Sequence, residues 1–223
     1  MAKLKGNPQS SNRTYTIIEP DVYEARVVRM VFIGAQEQRP YKGEQKPDAV
    51  VAKFSFELIG ETVTMTDGDE TQEVPAVVYW DVTVPGPGVT RGKLHEIIEA
   101  TGIGKETFGD TQDYKGIIGM PLNVEVGSYV RKSDGVTVNC CDGVSKMNKK
   151  AKERLEDCSV DTLFFDCYQD DEDSKEAWTQ LGNFVRDKIR KSSDCADGEI
   201  PAVAQSWADT NEEDADTEDG DEF

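Results

Sequence analysis

Apolar and polar residues alternate with period two along most of the stretch from Val22 to Val144, and this restricts the fold more than any other feature. VYEARVVRMVFIG (Val22–Gly34) is long enough for a curved strand that serves two sides of a barrel. AVVAKFSFELIG sets Val50, Ala52, Phe54, Phe56 and Leu58 on one face, and Lys53, Ser55 and Glu57 on the other. VPAVVYWDVTVP follows and ends in PGPG (Pro85–Gly88). The period then turns helical: Leu94, Ile97 and Ile98 of RGKLHEIIEATG share a face, and Gly102 stands where a C-cap belongs. PLNVEVGSYV (Pro121–Val130), the turn KSDG and VTVNCCDGVSKM complete the series, and Asp134-Gly135 between two alternating runs is a hairpin signal.

The order strand, strand, strand, helix, strand, strand predicts a mainly β chain built on the five-stranded OB barrel, with its helix between strands three and four. A second helix is expected in SKEAWTQLGNFVRDKIRKS, where Ala177, Leu181, Phe184, Val185 and Ile189 form an apolar stripe; DTLFFDCY before it reads as a short strand. The expected organisation is a flexible N-terminus over 1–14, the barrel over 15–150, and an extension over 151–192 packed on the barrel. A disordered linker and acidic tail are expected over 193–223.

The net charge of −19 is unevenly spread. Ser206–Phe223, SWADTNEEDADTEDGDEF, holds nine acids and no base, too little apolar surface to offset the entropy of ordering it. Residues 156–176 hold nine acids against Lys175, whereas residues 1–155 hold 22 acids and 20 bases, so a local basic surface is compatible with the overall acidity. No run of about 18 apolar residues is present to span a membrane. MAKLKGNPQSSNR lacks the apolar stretch of a signal peptide, so a cytoplasmic location is expected. Five cysteines without a CxxC, and one histidine, read as reduced and mostly buried thiols rather than a zinc site.

Catalytic motifs fall away on inspection. GIGKET (Gly102–Thr107) echoes a phosphate loop, but Glu99 and Glu106 stand where that motif needs Gly and Ser or Thr. His95 has no motif partner. The acids of QDDEDSKE suit a helix start better than a metal, since negative charge is favoured there. No enzyme, metal or cofactor is expected.

What remains is a set of rings interleaved with cations: Tyr23, Arg26 and Arg29, then Arg39, Tyr41, Lys42 and Lys46, then Lys53, Tyr79 and Trp80, and finally Tyr129, Arg131 and Lys132. Single-stranded nucleic acid is held in this way, cations tracking phosphates while rings stack on unpaired bases. Of Tyr79 and Trp80, adjacent in one strand, one is expected to line the core and the other to face outwards.

On three stretches, YEARVVRMVFIGAQEQRPYKGEQKPDAVVAKFSFELIGE, RGKLHEIIEATG and IIGMPLNVEV, the chain resembles phage-encoded single-stranded DNA-binding proteins of replication and recombination. The ending is similar to phage replicative single-strand binders whose acidic tails finish on an aromatic residue. The resemblance implies a protein that coats single strands without strong sequence preference, as a monomer or dimer. It also implies a tail in which Asp219, Asp221, Glu222 and Phe223 recruit a polymerase or helicase of phage or host and compete with DNA for the groove. The extension over 151–192 departs from that pattern. Two other functions stand beside it: an acidic DNA-mimic inhibitor of a host nucleic-acid enzyme, favoured by the net charge, and a carboxylate-metal nuclease, favoured only by the cluster at 170–176.

Overall fold

The computed structural model describes residues 14–86, 91–103, 111–132 and 135–200. The N-terminal arm up to residue 13, most of GIGKET, Asp134 and the acidic tail with Phe223 lie outside the described residues. The fold is mainly β. Seven strands form one sheet: β1 (Thr14–Tyr15), β2 (Asp21–Gln36), β3 (Ala49–Asp67), β4 (Glu70–Thr83), β5 (Pro121–Val130), β6 (Thr137–Ser145) and β7 (Leu163–Phe165). The helices are α1 (Lys93–Thr101), α2 (Lys149–Arg154), α3 (Glu172–Thr179), α4 (Asn183–Arg190) and α5 (Ser193–Ala196), with a 3-10 helix at Thr111–Ile117.

Five strands run in the antiparallel order β4-β3-β2-β5-β6; β1 adds to the distal half of β3, and β7 pairs parallel with β2. The end strands β4 and β6 approach one another, and α1 packs on both. No ladder joins them among the described residues, so the sheet is open and the expected closed barrel is not completed by hydrogen bonds. α1 ends as expected at Gly102, whose φ of 77° suits a residue without Cβ and whose N–H donates to the Ile98 carbonyl.

β2 organises the molecule. β5 pairs along it from Asp21 to Arg26, and beyond a bulge β7 pairs with it from Arg29 to Val31. Val27, Val28, Met30, Val31, Phe32 and Ile33 are all buried, because the strand is covered on both faces. One cover is the interior lined by Phe54, Phe56, Trp80 and α1; the other is the segment from Leu163 to Ile200, with Phe165, Trp178, Leu181 and Ile189. α5 approaches β2 closely: a Cβ at Gly34 (φ 74°) would lie 2.8 Å from the Ser192 hydroxyl.

Two sequence expectations are corrected. The second helix is broken into α3 and α4, because Gly182 takes an extended conformation (ψ 153°) as the N-cap of α4 and the end of α3 tightens into i→i+3 bonds. In addition, α5 (Ser193–Ala196) stands where the disordered linker was expected to begin, and Ser55 and Glu57, on the face opposite Phe54 and Phe56 as alternation places them, are buried under the extension. The Glu57 carboxylate accepts from the Ser159 backbone N–H (2.9 and 3.0 Å), the Ser159 hydroxyl (2.5 Å) and the Val160 N–H (3.1 Å). These donors replace the water lost on burial.

All five cysteines are free. Burial, with Asp142 adding to it, pushes the Cys140 thiol up to about 11, and burial pushes Cys141 up to about 12. Both therefore stay protonated at neutral pH. In timed alkylation at pH 8 followed by site-resolved mass spectrometry, Cys140 should react about a hundredfold more slowly than free cysteine.

Candidate nucleic-acid interface

The candidate residues separate into three places. The first is the loop between β2 and β3. Tyr41 and Glu44 exchange backbone hydrogen bonds (2.9 and 3.1 Å) around a tight turn in which Lys42 (φ 54°) and Gly43 (φ 83°) are both left-handed. That region is ordinarily left to glycine and asparagine, so Lys42 is held there by the turn. Tyr41 is 59% exposed, and the ammonium groups of Lys42 and Lys46 stand 5.3 and 4.9 Å from its ring centroid. Arg39 is exposed in the same loop.

The second place is the tip of the β5–β6 hairpin. Tyr129, opposite Val138 in the ladder, is half exposed, and the tip closes with Arg131 N–H donating to the Val136 carbonyl. Lys132 is exposed, as are Val130 and Val136. The β2–β3 loop leaves from the Gln36 end of β2, whereas β5 passes beyond the Asp21 end on its way to the hairpin. The two clusters therefore lie at opposite ends of β2.

The third place is the outer face of the sheet. Arg29, Ser55 and Tyr79 form one cross-strand row over β2, β3 and β4, and Val31, Lys53 and Asp81 form the next. Helix α4 and the turn before it, residues 180–182, roof this face, leaving a cleft of about 80 Å³ lined by Arg29, Lys53, Tyr79, Leu181, Phe184 and Val185 among others. Lys53 binds Asp81 at 2.6 Å, and Lys188 of α4 reaches the other oxygen of Asp81 at 3.4 Å. Burial would raise the Asp81 carboxyl, but the two lysines outweigh it and hold the group below its ordinary value. Burial, helped by Lys188, lowers Lys53 despite Asp81, since one carboxylate serves two ammonium groups. Arg29 makes no hydrogen bond or ion pair among the described residues.

Arg26 and Trp80 stand apart. The Arg26 guanidinium donates to the carbonyls of Gly119, Leu155 and Glu156 and pairs with Asp157 at 3.5 Å, so it clamps the start of the extension to β2. Trp80, only 6% exposed, is a core residue with Lys93 4.7 Å from its ring centroid. Tyr79 is the outward member of the pair, yet it is half-buried beneath α4 rather than open to solvent. The tail residues Asp219, Asp221, Glu222 and Phe223 lie outside the described residues.

A basic element is hidden in the sequence. Four bases, Arg186, Lys188, Arg190 and Lys191, fall within six residues on and just after α4, against Asp187 alone. Averaged over 177–205 they are cancelled by acids that follow the helix; charge counted within one helix reveals them. The acids at 170–176 have local roles: Asp171 caps α3 by accepting from Ser174 N–H (2.7 Å), Glu172 pairs with Lys175, and Asp173 pairs with Lys115. Among the described residues no three His, Cys, Asp or Glu gather as metal ligands, and no helix is long and apolar enough to cross a membrane. His95 faces Glu99 one turn along α1, at 3.3 Å. Compared with known proteins, the chain matches no protein-family description and no curated sequence.

Proposed function

We propose that the protein binds single-stranded DNA without catalysis, using the outer surface of an OB-type sheet whose strand order is β4-β3-β2-β5-β6, with α1 between β4 and β5 in the chain. The observation that carries this is the Tyr41 turn. A tyrosine ring is held in solvent between two lysines by a backbone conformation that lysine does not favour, and packing within the fold gives no reason for it. Tyr129, Arg131 and Lys132 supply a similar combination at the other end of β2. A ring stacks on any base and a cation meets any phosphate, so the expected binding is strong for single strands and indifferent to sequence. The acidic tail would compete with DNA for this surface, and Phe223 would serve as an apolar anchor for a replication partner in the host bacterial cytoplasm.

The test is a titration of labelled oligo(dT) and of duplex at several salt concentrations. Tyr41→Ala should cost roughly 1–3 kcal/mol of oligo(dT) affinity with little change in salt dependence. Arg131→Ala with Lys132→Ala should flatten the log–log salt slope by about 0.7 for each phosphate no longer neutralised. Deleting Ser206–Phe223 should tighten binding, most at low salt where screening is weak. Equal affinity for duplex and single strand would overturn the stacking basis. Failure to bind either, in a protein of net charge −19, would favour the acidic DNA-mimic inhibitor instead.

A further inference from the structure

The cleft beneath α4 joins three residues that the sequence pattern singles out, Arg29, Lys53 and Tyr79, to residues of α4 that neither the pattern nor the resemblance points to. Its floor is the Arg29–Ser55–Tyr79 row and its roof is the extension, so it exists only where the two meet. Two cations, Arg29 and Lys53, line it, and Lys188 stands at its margin, sharing with Lys53 the carboxylate of Asp81. Asp81 and Lys188 reach solvent, but Lys53 is largely buried beside the apolar walls, so an anion in the cleft would meet a positive charge that water screens only in part. Two rings face the same space: Tyr79 from β4, and Phe184 from α4 with Lys188 4.9 Å from its centroid. The remaining walls are aliphatic, from Val31, Leu163, Leu181 and Val185. The volume of about 80 Å³ holds several waters, hence one small anion with the edge of one ring at its mouth, and not a stretch of strand.

We propose that this cleft takes one phosphate of the bound single strand on Arg29, Lys53 and Lys188, with the adjoining base against Phe184 and Tyr79. The extension is then part of the nucleic-acid interface rather than packing alone. The inference rests on the single-strand binding proposed above and adds α4 to it.

The experiment measures oligo(dT) affinity and melting temperature for the full chain and for Arg29→Gln, Lys188→Gln and Asp81→Asn. Arg29→Gln and Lys188→Gln should each weaken binding about three- to tenfold. Asp81→Asn removes the one competing carboxylate and should tighten binding by a similar factor. A gain of affinity cannot come from misfolding, and Lys188 is on the helix surface, so it serves if Arg29→Gln unfolds. Thymidine 5′-monophosphate as competitor separates sources: displacement of oligo(dT) in the wild type, weakened in Lys188→Gln, supports a nucleotide subsite. Wild-type affinity in all three variants, while Tyr41→Ala still binds weakly, overturns the cleft and leaves single-strand binding standing. No binding of oligo(dT) by the wild type overturns both.

Discussion

Trp80→Ala is expected to destabilise the protein by about 3–5 kcal/mol, with the loss appearing as folding stability rather than as DNA affinity. Trp80 is buried in the interior of the sheet, pairs across strands with Phe54, and carries Lys93 over its ring. Truncation leaves a cavity that β3, β4 and α1 cannot all close at once. Urea denaturation of the variant measures the effect. Its neighbour Tyr79 is the control: lying on the outer face beside the cleft, Tyr79→Ala should cost less stability and more oligo(dT) affinity. The opposite ranking would exchange the two faces of β4 and with them the location of the interface.

Glu57→Ala is the second large effect, about 3 kcal/mol, and it should act on one region. The carboxylate accepts every bond given above from Ser159 and Val160, so its removal leaves two backbone N–H groups and a hydroxyl without their acceptor. The stretch that joins α2 to β7 should loosen. Hydrogen exchange should then rise at Ser159 and Val160 well before it rises in β2 or β3. Glu57→Gln, which turns one acceptor oxygen into a donor facing other donors, should fall between the variant and the wild type. On a solvated face the change to alanine would stay within about 0.5 kcal/mol. Unchanged exchange at Ser159 and Val160 would show that the extension is held elsewhere, with Arg26 as the remaining clamp.

These two residues mark where the amino-acid pattern was sufficient and where it was not. Strand and helix content along Val22–Val144 follows from local periodicity, and β2, β5, β6 and α1 lie within a few residues of where alternation and the Gly102 cap put them. The pattern of Phe54, Phe56 and Leu58 pointing inwards was equally legible, because the side-chain period of a strand is a property of the backbone. Which faces stay exposed was not legible, because exposure depends on what packs from far along the chain. Lys53, Ser55, Glu57 and Tyr79 look like a solvated face until residues 159–188 are laid over them, and no local pattern in β3 or β4 announces that cover. Arg26 and Arg29 stand three residues apart in β2, yet the carbonyls of Gly119, Leu155 and Glu156 surround one, while the other lines a cleft. The same holds for α4, where one of its three bases, Lys188, takes its meaning from Asp81 and Lys53 more than a hundred residues earlier. Local periodicity decided the elements; long-range packing decided which of their charges were left without enough counter-charge.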